Sequence, residues 1–179
     1  MILALDISTS ITGASVIDKE GGVVFCEAWD LRKNQGVFDK AQKVKIELAN
    51  IFNAFPIECV YIEQPFMFFN SGGSSAKTMA ILQRFNGIVS WLCLEQFSSE
   101  PMYLTAGQAR KLVGLKIPRG QKAKPVVLQF VLDKDPTFSV QYTKHGNPKP
   151  GVYDRADSWI LAKAGWQEWK QKSEFLEAS

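Results

Sequence analysis

The first 18 residues, MILALDISTSITGASVID, contain the pattern that decides the fold. Apolar residues fill Met1–Leu5, and Thr12–Ile17 contains β-branched residues and no charge, so both segments are predicted to be strands. Asp6 follows the first strand directly, where a Ser/Thr-rich turn begins. The first strand therefore places a carboxylate at one edge of the predicted sheet.

The next segments predict the rest of an α/β core. Residues 18–22, DKEGG, are typical of a hairpin turn and lead into a third strand at Val23–Trp29. Apolar residues recur every three or four positions from Val37 to Phe55, which predicts a helix with one buried face. Ile57–Ile62 follows as a strand, and the right-handed crossover rule makes it parallel to the first. This strand also ends in an acid, Glu63.

The second half of the chain is predicted to be mainly helical. Its elements are a helix at Ala76–Glu95, a strand at Pro101–Leu104, and helices at Thr105–Val113, Pro125–Leu132 and Asp154–Lys170. The predicted fold class is therefore α/β, with a mixed five-stranded sheet, three antiparallel strands and then parallel strands, flanked by helices. Because no linker divides the chain, residues 1–179 are predicted to form a single domain.

Composition limits the class of protein. A chain of 179 residues with 46% hydrophobic residues can bury one sizeable core. Cys26, Cys59 and Cys93 are far apart in sequence, which predicts reduced thiols and a cytoplasmic protein. We expect no signal peptide and no membrane partner, because no run reaches the roughly 18 apolar residues that a span requires. The net charge of +3 is too small to identify an anionic partner by itself.

Four carboxylates are predicted to converge. Asp6 and Glu63 end parallel strands, so both lie at the edge where open α/β sheets bind ligands. Asp154 and Asp157 are three residues apart and share one face of the last helix. Taken alone, Asp6 is also a common turn former and Asp154 a common N-cap. Four adjacent carboxylates repel unless cations separate them, and all-oxygen ligands suit two Mg²⁺ ions, with Mn²⁺ as an alternative.

A basic segment lies between the second and third of these acids. It has six basic residues and no acidic one: Arg110, Lys111, Lys116, Arg119, Lys122 and Lys124. Lys77 and Arg84 are candidates to extend the same surface. Beside a carboxylate cluster, this asymmetry predicts contacts with phosphates, which supply most of the sequence-independent affinity for DNA. For the segment alone, a basic surface without function is the ordinary alternative.

The acids and their surroundings resemble a known family. The segments LALDISTSITGASVID, VYIEQPFMFFNSGGSSAK, YLTAGQARKLVG with QKAKPVVLQFVL, and YDRADSWILA occur in the order and spacing of RuvC-type Holliday junction resolvases, which have a ribonuclease H-like fold. The resemblance extends from Met1 to about Ala164. Its most specific part is IEQPFM combined with a final helix that carries two acids three residues apart.

This resemblance implies a structure-selective endonuclease that resolves four-way junctions and related branched DNA by paired, metal-dependent phosphodiester hydrolysis. The metal-binding catalytic acids would be Asp6, Glu63, Asp154 and Asp157. A homodimer is also implied, since a four-way junction is close to two-fold symmetric. The helix at Ala76–Glu95 is the candidate interface.

The resemblance also implies roles for an aromatic residue and for basic residues. Phe66 stands where the family carries an aromatic residue that inserts between bases at the crossover, with a core aromatic residue as the alternative. Lys122 and Lys124 both fall where a lysine lies near the scissile phosphate, and spacing does not choose between them. Arg110 occupies the place of an earlier lysine, which keeps the charge and changes the donor geometry.

Two departures from the family pattern set limits on the resemblance. Ile7 and Ser8 replace the usual Pro-Gly, and the loop before Asp154 contains His145, the only histidine. They predict a divergent branch of phage or viral type, so a cut-site preference cannot be transferred. His145 is predicted to be an exposed loop residue, with proton transfer beside the metals as the alternative.

Three other functions stay open from the sequence. A nucleotide-binding protein of the actin and sugar-kinase type also begins with a strand that ends in aspartate, but it needs two such domains, and this chain is too short for both. A junction-binding protein that no longer cuts is disfavoured because all four acids are present. A related nuclease acting on RNA/DNA hybrids or flaps stays open, because this fold hosts several chemistries.

Overall fold

The strands form one mixed sheet. A computed structural model of the chain describes residues 1–65 and 76–177, with side chains described as far as Ser173. Its strands are β1 (Ile2–Asp6), β2 (Ile11–Ile17), β3 (Val23–Asp30), β4 (Cys59–Glu63) and β5 (Met102–Leu104). Within the described ranges these five strands pair in the order β3-β2-β1-β4-β5. The first three are antiparallel, and β4 is parallel to both β1 and β5, as predicted.

Helices cover both faces of the sheet. They are α1 (Gly36–Ala54), α2 (Ala76–Phe97), α3 (Ala106–Leu112), α4 (Ala123–Lys134) and α5 (Val152–Glu177). α1 and α2 pack on one face, and α3, α4 and α5 pack on the other. Every predicted element is present, and the largest difference in length is at α5, which begins before Asp154 and continues past Lys170. Asp154 is therefore inside the first turn and is not the N-cap residue.

Alternation along β1 divides its side chains between two cores. Ile2 and Ala4 belong to the core under α5, and Leu3 and Leu5 belong to the core under α1 and α2. Because successive strand residues point to opposite faces, Asp6 is on the α5 face.

β4 repeats this arrangement beside β1. Tyr61 is fully buried in the α5 core, whereas Val60 and Ile62 are buried in the other. The same alternation puts Glu63 on the α5 face. The sheet therefore directs its two strand-end acids toward one helix.

The three cysteines are not paired with one another: Cys26, Cys59 and Cys93 are free. Of the helices in the described residues, none is long and apolar enough to cross a membrane.

Candidate active site

Asp6 and Glu63 are neighbours at one edge of the sheet. The register pairs Leu5 of β1 with Ile62 of β4, so the next residue on each strand is an acid. Adjacent strands are roughly 4.8 Å apart, and both acids are on the α5 face. The structure thus confirms the placement that strand order and the crossover rule predicted.

The first turns of α5 bring Asp154 and Asp157 to the same edge. Gly13 of β2 is the register partner of Asp6. A Cβ atom added at Gly13 would lie 2.0 Å from the carbonyl oxygen of Asp154 and 3.1 Å from Cβ of Ser158. The helix backbone therefore rests directly on β2, and only a glycine permits this approach.

The pKa values of the acids agree with their placement at one edge of the sheet. Burial, and then the charge of Asp157, raise the pKa of Glu63 to about 7. Burial is also the main reason why the pKa of Asp157 rises to about 6, with a further contribution from Asp154. The pKa of Asp6 is raised well above its ordinary value by burial and then by Glu63, Asp157 and Asp154. Each of these carboxylates is therefore affected by at least one of the others.

Lys124 and Arg110 oppose this repulsion. Lys124, in the first turn of α4, lowers the pKa values of Asp6, Asp154 and Asp157 against the effect of burial. Its Nζ atom also lies 5.8 Å from the ring centre of Tyr153. Arg110 lowers the pKa values of Glu63 and Asp157 in the same way.

The sequence around α3 explains where Arg110 lies. Leu104 of β5 pairs with Glu63, and α3 begins two residues after Leu104. Thr105 is the N-cap of α3, as predicted, and forms a capping box with Gln108. Because the helix starts at the sheet edge beside Glu63, its last turn presents Arg110 to the acids.

The acids fit a hard divalent cation in chemistry and in charge. All four ligands would be carboxylate oxygens, which suit Mg²⁺ or Mn²⁺. Burial is the largest cause of their raised pKa values, and repulsion between carboxylates adds to it for Asp6, Glu63 and Asp157; a cation would relieve both effects. In residues 1–65 and 76–177, however, no group of three or more Asp, Glu, His or Cys side chains is already arranged so that it could hold a metal ion. Ligand distances therefore require movement of these side chains.

The other residues expected at the site are on the surface or outside the described ranges. Of the basic residues that the sequence indicated, four are exposed on α3, on the loop after it and at the N-cap of α4: Lys111, Lys116, Arg119 and Lys122. Lys124, in the first turn of α4, is exposed as well. Lys77 and Arg84 are exposed on α2, and His145 is exposed in the loop before α5. Phe66 lies outside the described residues, so its role stays a prediction.

Arg32 is a candidate site residue that the sequence did not indicate. It follows β3. Because β2 is antiparallel to both β1 and β3, β3 runs in the same direction as β1 and ends at the same edge of the sheet. Its guanidinium binds both carboxylate oxygens of Asp30, at 2.9 and 2.6 Å. The charge of Arg32 also lowers the pKa of Asp154 against the effect of burial. The signal that could have found it is the end of β3, since all strands with this direction end at the same edge.

The mixed sheet and its flanking helices form the ribonuclease H-like fold of RuvC, as the sequence predicted. RuvC from Thermus thermophilus in complex with a Holliday junction substrate matches with a TM-score of 0.64 at 12% identity, over 95% of this chain and 94% of that chain. Another structure of RuvC from Thermus thermophilus matches with a TM-score of 0.63 at 15% identity, over 96% of each chain.

A yeast protein has the same fold. The mitochondrial Holliday junction resolvase Ydc2 matches with a TM-score of 0.57 at 11% identity, over 97% of this chain and 80% of that chain. No protein-family model matches the sequence, and no curated protein matches it. At these identities, the likeness to the three structures establishes the fold.

Proposed function

We propose that this protein is a metal-dependent, structure-selective endonuclease that resolves four-way junctions and related branched DNA by paired phosphodiester hydrolysis. The observation that carries the proposal is geometric: Asp6 and Glu63 end adjacent strands at one sheet edge, and the first turns of α5, with Asp154 and Asp157, pack against β2 at that edge. Burial raises the pKa values of all four acids, and repulsion between carboxylates adds to this for Asp6, Glu63 and Asp157. The fold supports the same reading, because each of the three similar structures is described as RuvC or as a Holliday junction resolvase.

In this proposal, the residues that would hold two Mg²⁺ or Mn²⁺ ions are Asp6, Glu63, Asp154 and Asp157. Bound ions would supply an activated water and would stabilise the leaving oxygen. Lys124 is assigned to the scissile phosphate in preference to Lys122, because the charge of Lys124 acts on three of the acids. Arg110 holds a second positive charge beside Glu63 and Asp157, which favours binding of a phosphate at this edge.

The exposed basic side chains would contact the arms of the DNA. They are Lys77, Arg84, Lys111, Lys116, Arg119 and Lys122. Phosphate contacts of this kind position a duplex without reading its sequence. We therefore expect binding to weaken steeply as the salt concentration rises.

The proposed assembly is a homodimer of single-domain subunits in the cytoplasm. α2 presents Trp91, which is 64% exposed, and Leu94 to solvent, and Tyr103 of β5 is also exposed. An exposed apolar patch of this kind is typical of an interaction site. Two copies related by a two-fold axis would present one site to each of two opposed strands. The phage or viral origin stays a prediction.

A nicking assay tests the proposed function. The substrates are a synthetic four-way junction, a flap, a linear duplex and an RNA/DNA hybrid, each with Mg²⁺ or with EDTA. We expect Mg²⁺-dependent, paired nicks in the junction. Asp6→Asn and Glu63→Gln should abolish cleavage and retain junction binding, because the acids serve the chemistry and the basic residues serve affinity.

Asp133→Asn is the matched control. Asp133 is an exposed carboxylate on α4 that accepts a hydrogen bond from Gln129, and its loss should leave cleavage unchanged. Equal cutting of duplex and junction would reduce the proposal to a nuclease without junction selectivity. Preference for the hybrid would replace the resolvase by a ribonuclease, and junction cutting that persists in Asp6→Asn would contradict the site.

A further inference from the structure

Arg155 connects α5 to two other parts of the protein, although it stands between acids in the sequence. Its Nε atom donates to the carbonyl oxygen of Cys26 on β3 at 2.9 Å. A second guanidinium nitrogen donates to the carbonyl oxygen of Ser139 at 3.1 Å, and the guanidinium lies 4.6 Å from the ring centre of Phe138. Its planar donor groups therefore link the first turn of the helix to the sheet and to the segment before the helix.

Ser158 makes a second link between α5 and the sheet. Its hydroxyl oxygen lies 2.8 Å from that of Ser15 on β2, and both side chains are fully buried. A buried hydroxyl group is costly unless it is hydrogen-bonded, so this pair favours one position of the helix over neighbouring ones. Ser15 is two residues after Gly13 and on the same face of β2, directly along the contact with α5.

The two links have the same spacing as the two helix acids. Arg155 follows Asp154, and Ser158 follows Asp157, so each pair is three residues apart and occupies its own face of the helix. One face carries the carboxylates, and the next face is hydrogen-bonded to β2 and β3. The four acids repel one another, and this repulsion pushes the start of α5 away from the strand ends. The hydrogen bonds of Arg155 and Ser158 oppose that movement.

We propose that Arg155 and Ser158 are positioning residues that hold Asp154 and Asp157 close enough to Asp6 and Glu63 for the four carboxylates to share cations. This inference rests on the proposed function, because it assigns the two residues to the metal site of the same nuclease. Neither residue touches the reacting atoms. Each acts through the acid that precedes it.

The test is Mn²⁺ binding by isothermal titration calorimetry, together with thermal unfolding in EDTA. Arg155→Met removes both carbonyl contacts, and Ser158→Ala removes the buried hydroxyl pair. In each variant we expect the Kd for Mn²⁺ to rise roughly 10- to 100-fold, the range for residues that orient metal ligands. Arg155→Lys should fall between wild type and Arg155→Met, because lysine keeps the charge but cannot bond both carbonyls in the same geometry.

Ser173→Ala is the matched control. Ser158 donates to the carbonyl oxygen of Arg155 on its own helix at 2.9 Å. Ser173 likewise donates to a carbonyl oxygen of α5, that of Trp169, but it is several turns away from the acids. Its loss should leave the Kd for Mn²⁺ unchanged.

The two proposals fail in different ways. Variants that unfold at a lower temperature in EDTA but bind Mn²⁺ like wild type would show that Arg155 and Ser158 only stabilise the fold, which overturns the inference and leaves the proposed function intact. A wild-type protein that binds no Mn²⁺ would remove both. If Arg155→Met does not fold, Ser158→Ala decides the outcome.

Discussion

Lys122 and Lys124 are two residues apart and both are exposed, yet their positions on α4 differ. Lys122 is the N-cap residue, and Lys124 is in the first turn of the helix. The charge of Lys124 reaches Asp6, Asp154 and Asp157. Spacing in the sequence could not separate the two lysines, because the difference arises from the way α4 packs against α5.

Replacement of each lysine by alanine tests this difference. Lys124→Ala should reduce the rate of junction cleavage by about 10²-fold or more, the usual effect of removing one charge-stabilising donor from an active site. Lys122→Ala should change cleavage little. It should make the slope of log K against log[salt], where K is the association constant for junction DNA, less steep by about 0.9, as expected for one lost phosphate contact. Single-turnover cleavage and fluorescence anisotropy measure the two effects, and the reverse result would transfer the role to Lys122.

The sequence predicted the strand-end acids more successfully than the rest of the site. Asp6 and Glu63 each follow an apolar strand, and the crossover rule alone makes those strands parallel. Arg32 was missed because an arginine after an exposed strand end is unremarkable until the direction of β3 is known. The sequence pattern of a strand indicates which of its side chains are buried. It does not indicate which charged residues from distant parts of the chain lie beside its end.

At the scale of helices and strands, the contact between α5 and β2 brings the acids of the helix to those of the sheet. Gly13 on β2 and Asp154 on α5 are far apart in sequence, and neither residue indicates the other. The residue pattern of β2 predicts a strand. It does not explain why position 13 is a glycine, which becomes clear only from the helix backbone that lies against it. Element order and type were therefore predictable from periodicity, whereas this close approach was not.

Gly13→Ala tests the importance of this contact. The new Cβ atom would meet a backbone oxygen at 2.0 Å, which cannot move without the helix. We expect a loss of about 1–3 kcal/mol in the free energy of unfolding, as for other overpacked cores, and loss of junction cleavage. Gly87→Ala is the control, since a Cβ atom at Gly87 on α2 meets nothing within 4 Å.

Urea denaturation compares the two glycine variants. Gly87→Ala should be as stable as wild type or more stable by roughly 0.5–1 kcal/mol, because alanine favours the helix. If Gly13→Ala proved as stable and as active as Gly87→Ala, the approach of α5 to β2 would not determine the position of the acids.

The whole molecule concentrates negative charge at one sheet edge and places positive charge around it. Arg110 of α3 and Lys124 of α4 act on the acids from the helices, and Arg32 acts from the end of β3. Such an arrangement leaves the folded protein with repelling carboxylates that only cations or protons can relieve. The stability of the molecule should therefore depend on pH and on divalent cations together.

The sign of the pH dependence follows from the raised pKa values. The pKa of Glu63 rises from 4.5 to about 7, and that of Asp157 from 3.8 to about 6, so between roughly pH 4 and 7 the folded protein binds more protons than the unfolded chain. The contribution of these two groups to stability therefore falls as pH rises through this window. Asp30, Glu58 and Asp135 act in the opposite sense, because their pKa values are lowered, that of Asp30 to about 2; their effect lies at the acidic end of the window and below it.

Thermal unfolding as a function of pH, with EDTA or with Mg²⁺, tests the convergence of the four acids most directly. In EDTA the midpoint should fall from pH 4 to pH 7, and Glu63→Gln should flatten the fall. Saturating Mg²⁺ should raise the midpoint most at pH 7, where the carboxylates are charged and bind the ion. A midpoint in EDTA that is flat or rises over this range, and that does not respond to Mg²⁺, would show that the four carboxylates do not meet.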